Sequence, residues 1–305
     1  MKNKIKLIAL LLSFFLLGAI IFLRGQRAAA EEASVSAPDA VQSPAPIVEE
    51  KEEWTPEYRI NHLTVAANRS DYPSDESYAN FRSIVMGDIA PNILYRSSSP
   101  LGGILGYLGG EEGKDRPAVT EGLVEKVGIN AVINMAYTEE ELRNALAEGG
   151  HDADYYRMLY ENGRVFSDRL PYDYHDKEFE QGLLTGLILL SENDPPYLLH
   201  CHGGVDRTGF AAMILEMLMG ADKDEIAADY MESYVNLFRV PRGDEVYSML
   251  WETTAAGKLH AIIQEYGDPS KEENDLRDVA EAYLFSIGMD QETMDRLTGH
   301  LRTGQ

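Results

Sequence analysis

The chain has 305 residues, 44% hydrophobic and 26% charged, the composition of a globular protein with a substantial core and room for one large domain or two small ones. Its charge is lopsided, 27 Lys+Arg against 51 Asp+Glu, and a formal −24 argues against nucleic acid or anionic lipid as a general partner, since both need a basic footprint. A single cysteine, Cys201, excludes an internal disulfide framework and any multi-cysteine metal or cluster site.

Residues 1–30 stand apart from the rest. Lys2, Lys4 and Lys6 precede an uncharged apolar run from Leu7 to Leu23, which Arg24 and Arg27 close. The run lies between a signal-peptide core and a short membrane span in length, and Ala28-Ala29-Ala30 offers small residues for cleavage. Signal peptide or uncleaved anchor, either reading places the rest of the chain outside the cytoplasm, membrane-anchored or secreted. No cysteine stands near this segment to be acylated. With no acid among these thirty residues, the remainder carries 22 Lys+Arg against 51 Asp+Glu, a net −29.

Residues 31–56 are rich in Ala, Ser, Pro, Val and Glu without apolar periodicity, and Pro38, Pro44 and Pro46 break any helix. This reads as a solvated acidic tether. Residues 57–305 then alternate strand-like and helix-like segments. Ala131–Met135, Arg164–Phe166 and Tyr197–His200 are short apolar runs with strand character. Thr138 followed by three glutamates reads as a capped helix start, and Phe179, Leu183, Leu184, Leu187 and Leu190 recur at helical spacing. A dense apolar run from Phe210 to Met219 predicts a buried helix. The last third is helical throughout, with stripes through Ile226, Tyr230, Tyr234 and Phe238 and through Val279, Ala282, Tyr283 and Ile287. The pattern predicts an α/β fold, a mainly parallel central sheet flanked by helices, with the C-terminal helices covering the sheet and supplying a wall of the substrate cleft.

The chemistry sits in His200-Cys201-His202-Gly203-Gly204-Val205-Asp206-Arg207-Thr208-Gly209, between a strand and the buried helix. Ligands of open α/β sheets bind at such carboxyl ends of strands. Five residues with two glycines between Cys201 and Arg207 let a short loop curl until its amides converge, and the following helix adds its positive end. A thiol held there has its thiolate stabilised, and the Arg207 fork suits two oxygens of a phosphate. The assembly is a phosphate cradle with a nucleophile at its base. His200 and His202 make a poor metal pair, because no carboxylates accompany them at ligand spacing.

This string resembles the protein tyrosine phosphatase superfamily, whose signature is His-Cys, five residues, then Arg and Ser/Thr. The Asp-Arg-Thr-Gly ending is similar to a bacterial branch with tyrosine and dual-specificity activity, as are Asn80-Phe81-Arg82 and Ile93–Ser98 upstream. Val205, where many members of that branch carry Lys, is similar to tyrosine-phosphatase-like phytases. The resemblance implies a cysteine phosphatase fold and hydrolysis through a phosphocysteine on Cys201 without any cofactor. It implies that Arg207 and the loop residues His202, Gly203, Gly204, Val205 and Thr208 bind the phosphate, that Thr208 assists the departing thiolate, and that His200 and Arg96 support the loop. The general acid stays open between Asp206, Asp168 and Asp173. The expected substrate is a phosphorylated protein or a small phosphomonoester. An exported inositol polyphosphate phosphatase would need extra cations, for which Arg157, Arg164 and Arg169 are the candidates. An inactive phosphate-binding surface module has no use for the nucleophile.

Overall fold

The computed structural model describes residues 55–102, 108–148 and 153–303. The expected export segment and nearly all of the tether therefore lie outside the described residues. The described residues all belong to one compact unit, Lys51–Gln305. Its first element is helix α1 (Pro56–Asn61), begun by a proline whose missing N–H costs nothing there and capped by the Thr55 hydroxyl accepting from the Tyr58 amide at 3.2 Å. Pro56, expected as the last residue of the tether, is thus already helical.

Helix α2 (Asp75–Tyr78) leads into strand β1 (Arg82–Ile84), and strand β2 (Leu94–Ser97) follows. After helix α3 (Arg116–Val127) come strand β3 (Ala131–Asn134), helices α4 (Glu139–Glu148) and α5 (Asp154–Glu161), and strand β4 (Val165–Ser167). Helix α6 (Lys177–Ser191), strand β5 (Tyr197–His200) and helix α7 (Asp206–Leu218) complete the α/β part. The rest is helical: α8 (Lys223–Phe238), α9 (Glu245–Leu250), α10 (Ala256–Tyr266), α11 (Leu276–Ser286) and α12 (Gln291–Thr303), with a π-helical turn, Trp251–Ala255, joining α9 to α10.

The five strands form one sheet in the order β1-β2-β5-β3-β4. Only β1 runs antiparallel to its neighbour; the other pairings are parallel. Every residue of β2, β3 and β5 is buried, which is why β3 and β5 appear as apolar runs rather than alternating ones, while β2 buries Arg96 and Ser97 as well. Register brings Ser97, His200 and Asn134 side by side at the carboxyl ends of the three central strands. Apolar runs that end in polar residues at one level mark where the sheet gives way to a site. The Thr138 cap expected for α4 forms a reciprocal box, Thr138 N–H to Glu141 Oε2 at 2.9 Å and Glu141 N–H to Thr138 Oγ1 at 3.3 Å.

Helix α7 is buried along its whole length from Arg207 to Leu218, so no face of it can meet water. It packs on β5, α8 and α11, while α12 packs on α6. The expectation that the C-terminal helices cover the sheet holds in part. α8 lies against it, with Asp229 pairing with Arg82 of β1 and Arg96 of β2, and His300 of α12 meets the Tyr197 hydroxyl of β5 at 2.7 Å. α11 covers α7 instead, because a helix apolar all round demands cover on its outer side as well.

Candidate active site

Strand β5 ends at His200, the chain turns through Cys201 to Val205, and α7 starts at Asp206. Gly204 makes the turn possible. Its φ is +71°, and a Cβ there would stand 2.1 Å from the Ser97 carbonyl oxygen. One helical turn later, a Cβ on Gly209 would stand 2.5 Å from the Tyr230 ring, so glycine lets α7 lie directly against α8.

The loop's carbonyls are held on its outer side. The Ser99 amide donates to His202 O at 3.0 Å, and Asn80 Nδ2 donates to Gly203 O at 3.1 Å. Arg96 Nη2 donates to Gly204 O at 2.8 Å and to Val205 O at 3.3 Å. In a trans peptide the C=O and the following N–H point in opposite directions. Turning the carbonyls of 202–205 outward therefore turns the amides of 203–206 inward, and a concave ring of N–H groups is an anion cradle.

The anchoring side chains form a buried ionic cluster. Arg96 is fully buried and pairs with Asp229 on α8; Arg82 Nε reaches the same carboxylate at 2.8 Å and its Nη2 the Asp229 carbonyl at 2.6 Å. Burial pushes the Asp229 carboxyl up, but the two guanidiniums outweigh it and hold the group well below the usual carboxylate range. Glu216 on α7 goes the other way: burial, reinforced by the Asp229 charge, raises it well above the usual range. Asn80, at φ +49°, joins the cluster through its Oδ1, which accepts from Arg82 Nη1 at 2.8 Å.

Cys201 is 4% exposed and Arg207 6%, so the floor of the site is nearly dry. Arg207 Nη1 donates to the carbonyls of Met135 at 2.6 Å and Leu170 at 3.2 Å, and its guanidinium lies 4.7 Å from the ring centre of Tyr172. Its Nε is buried without a partner among the described residues, and so are Thr208 Oγ1 and His202 Nδ1. Buried polar atoms are ordinarily bonded, and three orphaned atoms within residues 202–208 mark a place built for a ligand. Burial, with the charge of Arg207, lowers the His202 imidazole below its ordinary range. Beneath the loop, burial pushes His200 down to about 3; its Nε2 lies 2.8 Å from the Tyr156 hydroxyl and its Nδ1 3.4 Å from the Cys201 carbonyl.

A cleft of about 430 Å³ opens over Arg207, walled by Arg169–Tyr172, Ala136, Glu178 and His202. Larger hollows of about 540 and 490 Å³ lie beside α3 and between Gly220 and Leu276, so size alone does not mark the site. None of its lining residues comes from the C-terminal third, which corrects the expectation that this part walls the cleft.

The three candidate acids stand outside that lining. Asp206 Oδ1 accepts from Tyr230 OH at 3.2 Å and lies 3.9 Å from Lys258 Nζ. Asp173 Oδ1 accepts from the His175 amide at 3.0 Å, an interaction internal to its own turn. Asp168 is exposed just beyond β4, its side chain without a bond or ion pair among the described residues, two positions before the Leu170 carbonyl that holds Arg207. Of the cations named for a polyphosphate substrate, Arg157 lies 3.9 Å from Asp154, Arg164 binds Asn130, and Arg169 pairs with Glu141 at 2.5 Å. Only Arg169 lines the cleft. Sequence reasoning missed Asp229, Tyr156, Tyr172 and Glu178. The first two act on the loop's supports from far along the chain, Asp229 through Arg96 and Tyr156 through His200, and nothing local in the sequence marks any of them. Among the described residues no group of His, Cys, Asp or Glu could hold a metal, and no helix is long and apolar enough to cross a membrane.

An α/β sheet that ends in a buried cysteine and arginine under an amide-lined loop is the architecture of a phosphoester hydrolase. Residues 110–303 match the tyrosine phosphatase family, to which this chain belongs. A protein of Cupriavidus necator named "Putative tyrosine-protein phosphatase" is 42% identical over 49 residues, 16% of this chain and 18% of that one; the match thus spans less than a fifth of the relative's length. Among solved structures, the core catalytic domain of the PP-IP phosphatase SIW14 from S. cerevisiae in complex with citrate aligns at 18% identity with a TM-score of 0.29, covering 61% of this chain and 92% of that one.

Proposed function

We propose that the protein hydrolyses phosphate monoesters through a phosphocysteine on Cys201, acting on phosphorylated tyrosine or serine/threonine in proteins. The observation that carries this reading is the set of orphaned donors at the loop, Arg207 Nε and Thr208 Oγ1, beside a nearly dry cysteine. Phosphate oxygens placed between Arg207 and the amides of 203–206 would satisfy them. The thiolate of Cys201 then attacks phosphorus in line, and the ester oxygen leaves on the opposite side with a proton from Asp168. Asp168 is preferred because its carboxylate is unengaged, whereas Tyr230 and Lys258 hold Asp206. Water next attacks the phosphocysteine, Asp168 takes its proton, and Thr208 Oγ1 donates to the departing thiolate, releasing phosphate. The positive charge comes from Arg207 and the amides, so the reaction asks for no cofactor.

A single phosphate group is favoured over a polyphosphorylated ring. Arg207 is the one cation lining the cleft without a carboxylate partner among the described residues, since Glu141 neutralises Arg169 and Glu178 adds negative charge to the wall. We place the domain outside the cytoplasm on the strength of the basic–apolar segment at residues 1–30; fractionating cells that express the whole chain tests that assignment.

The reaction is tested with Cys201→Ser on p-nitrophenyl phosphate. Turnover is expected to vanish while vanadate still binds, and EDTA is expected to leave the wild type unchanged. Activity near wild type in the variant overturns the mechanism. Comparing kcat/KM for a phosphotyrosine peptide with that for inositol hexakisphosphate tests the substrate class, the peptide being expected to win.

A further inference from the structure

We propose that Tyr156 is a positioning residue of the active site, whose hydroxyl fixes the proton of His200 on Nδ1 and so holds the Cys201 carbonyl beneath the catalytic loop. The inference relies on the phosphatase reading only for its activity readout.

Tyr156 and His200 are both fully buried, one on α5 and the other at the end of β5, with the hydroxyl 2.8 Å from Nε2 and the rings edge to face at 5.7 Å. On its other side the His200 Nδ1 faces Cys201 O at 3.4 Å. A carbonyl can only accept, so the imidazole must donate from Nδ1. A neutral imidazole carries one proton, and burial keeps His200 neutral by pushing it down to about 3. With that proton on Nδ1, Nε2 is a lone pair, and the Tyr156 hydroxyl must be the donor to it. Burial raises the phenol well above its ordinary range, so Tyr156 keeps the proton it donates. The polarity therefore runs one way, from Tyr156 through His200 to the carbonyl of the proposed nucleophile.

That last bond bears on the cradle. Tying the Cys201 carbonyl under the loop turns the His202 amide toward the phosphate position, by the same peptide geometry that orients the amides of 203–206. The carbonyls of 202–205 are held by Ser99, Asn80 and Arg96 from the β2 side, while the carbonyl of Cys201 is held from the opposite side, through α5. α5 is itself fixed at its first turn, where Glu121 Oε1 of α3 accepts from the Tyr156 amide at 2.9 Å. The cradle thus has two independent supports, and Tyr156 is the key of the second.

Tyr156→Phe keeps the ring and removes one donor. In the wild-type chain, ¹⁵N spectra of His200 are expected to show the proton on Nδ1, and in Tyr156→Phe a mixture of tautomers. The variant's kcat/KM on p-nitrophenyl phosphate is expected to fall about tenfold, the equivalent of one buried hydrogen bond of about 1.4 kcal/mol. Leu159→Ala, buried on the same helix but outside this chain of bonds, is the control. It is expected to lower the melting temperature while keeping both the Nδ1 proton and the kcat/KM of the folded fraction. The proposal is overturned by a wild-type proton on Nε2, by unchanged kcat/KM in Tyr156→Phe, or by an equal loss in Leu159→Ala. An inactive wild-type chain with the Nδ1 proton in place, shifted by Tyr156→Phe, would defeat the phosphatase reading and leave the positioning intact.

Discussion

The two sides of the catalytic loop are built differently. On its outer side each carbonyl from 202 to 205 has a donor, and behind those donors sits a buried cluster of Arg96, Asp229 and Glu216, joined by a partly exposed Arg82. On the cleft side stand a Tyr172 that is 73% exposed and an arginine whose Nε has no partner among the described residues, with an exposed Asp168 just outside the lining. The loop's carbonyls are engaged on the outer side, where Arg96 Nε and Glu216 Oε1 behind them have no partner among the described residues, and the loop's own unengaged donors belong to the inner side. A backbone can be held in an anion-binding conformation only if something else uses up its carbonyls, so the cost of preorganisation falls on the outer side.

The sharpest way to break this contrast is Arg96→Met. It removes one of the donors from each of two loop carbonyls and leaves Asp229 with one cation, a change expected to cost about 3–5 kcal/mol of stability, as loss of one partner from a buried ion pair does. Urea unfolding measures it, and a loss below about 1 kcal/mol would mean that the cluster does not hold the loop.

On the inner side, Asp168→Asn is expected to leave stability unchanged and to lower kcat about 100-fold on a phosphoserine peptide. The loss on p-nitrophenyl phosphate is expected to be under about tenfold, because nitrophenolate leaves without a proton. Equal losses on both substrates would remove Asp168 from the acid role and return it to Asp206.

The smallest effect concerns the floor between the two sides. Burial lowers the His200 imidazole from its ordinary value to about 3 in the folded chain. The folded state therefore binds fewer protons than the unfolded one, and the contribution is present in full above about pH 6.5 and is lost as pH falls toward 3. Between pH 7 and pH 5 the wild type is expected to lose about 2 kcal/mol that His200→Asn does not lose. Parallel stability–pH curves for the two proteins would show that His200 is not buried neutral.

The same contrast explains what could be read from the residues alone. Strands β3 and β5 and helix α7 were legible because burial on every side writes a dense apolar run, while β2, which carries Arg96 and Ser97, was legible only through its resemblance to the family's opening strand. Cys201, Arg207 and the glycines were legible because an anion cradle needs them within one short stretch. The outer support was not. Asp229 lies 133 residues from Arg96, and Tyr156 lies 44 from His200, on helices where a buried polar residue leaves no periodic mark. The expectation that the C-terminal helices would wall the cleft failed because amphipathic stripes show that a helix is covered, not what covers it.

Hydrolysis through Cys201 is best probed by trapping the intermediate. Wild-type protein turning over p-nitrophenyl phosphate is quenched in acid within the first turnover, digested, and its peptides are mapped for phosphate. Phosphate is expected on Cys201, and on no other side chain. A burst of nitrophenol with phosphate on a different residue, or steady turnover with no phosphoenzyme in either the wild type or a Thr208→Ala variant made to slow its breakdown, would contradict it.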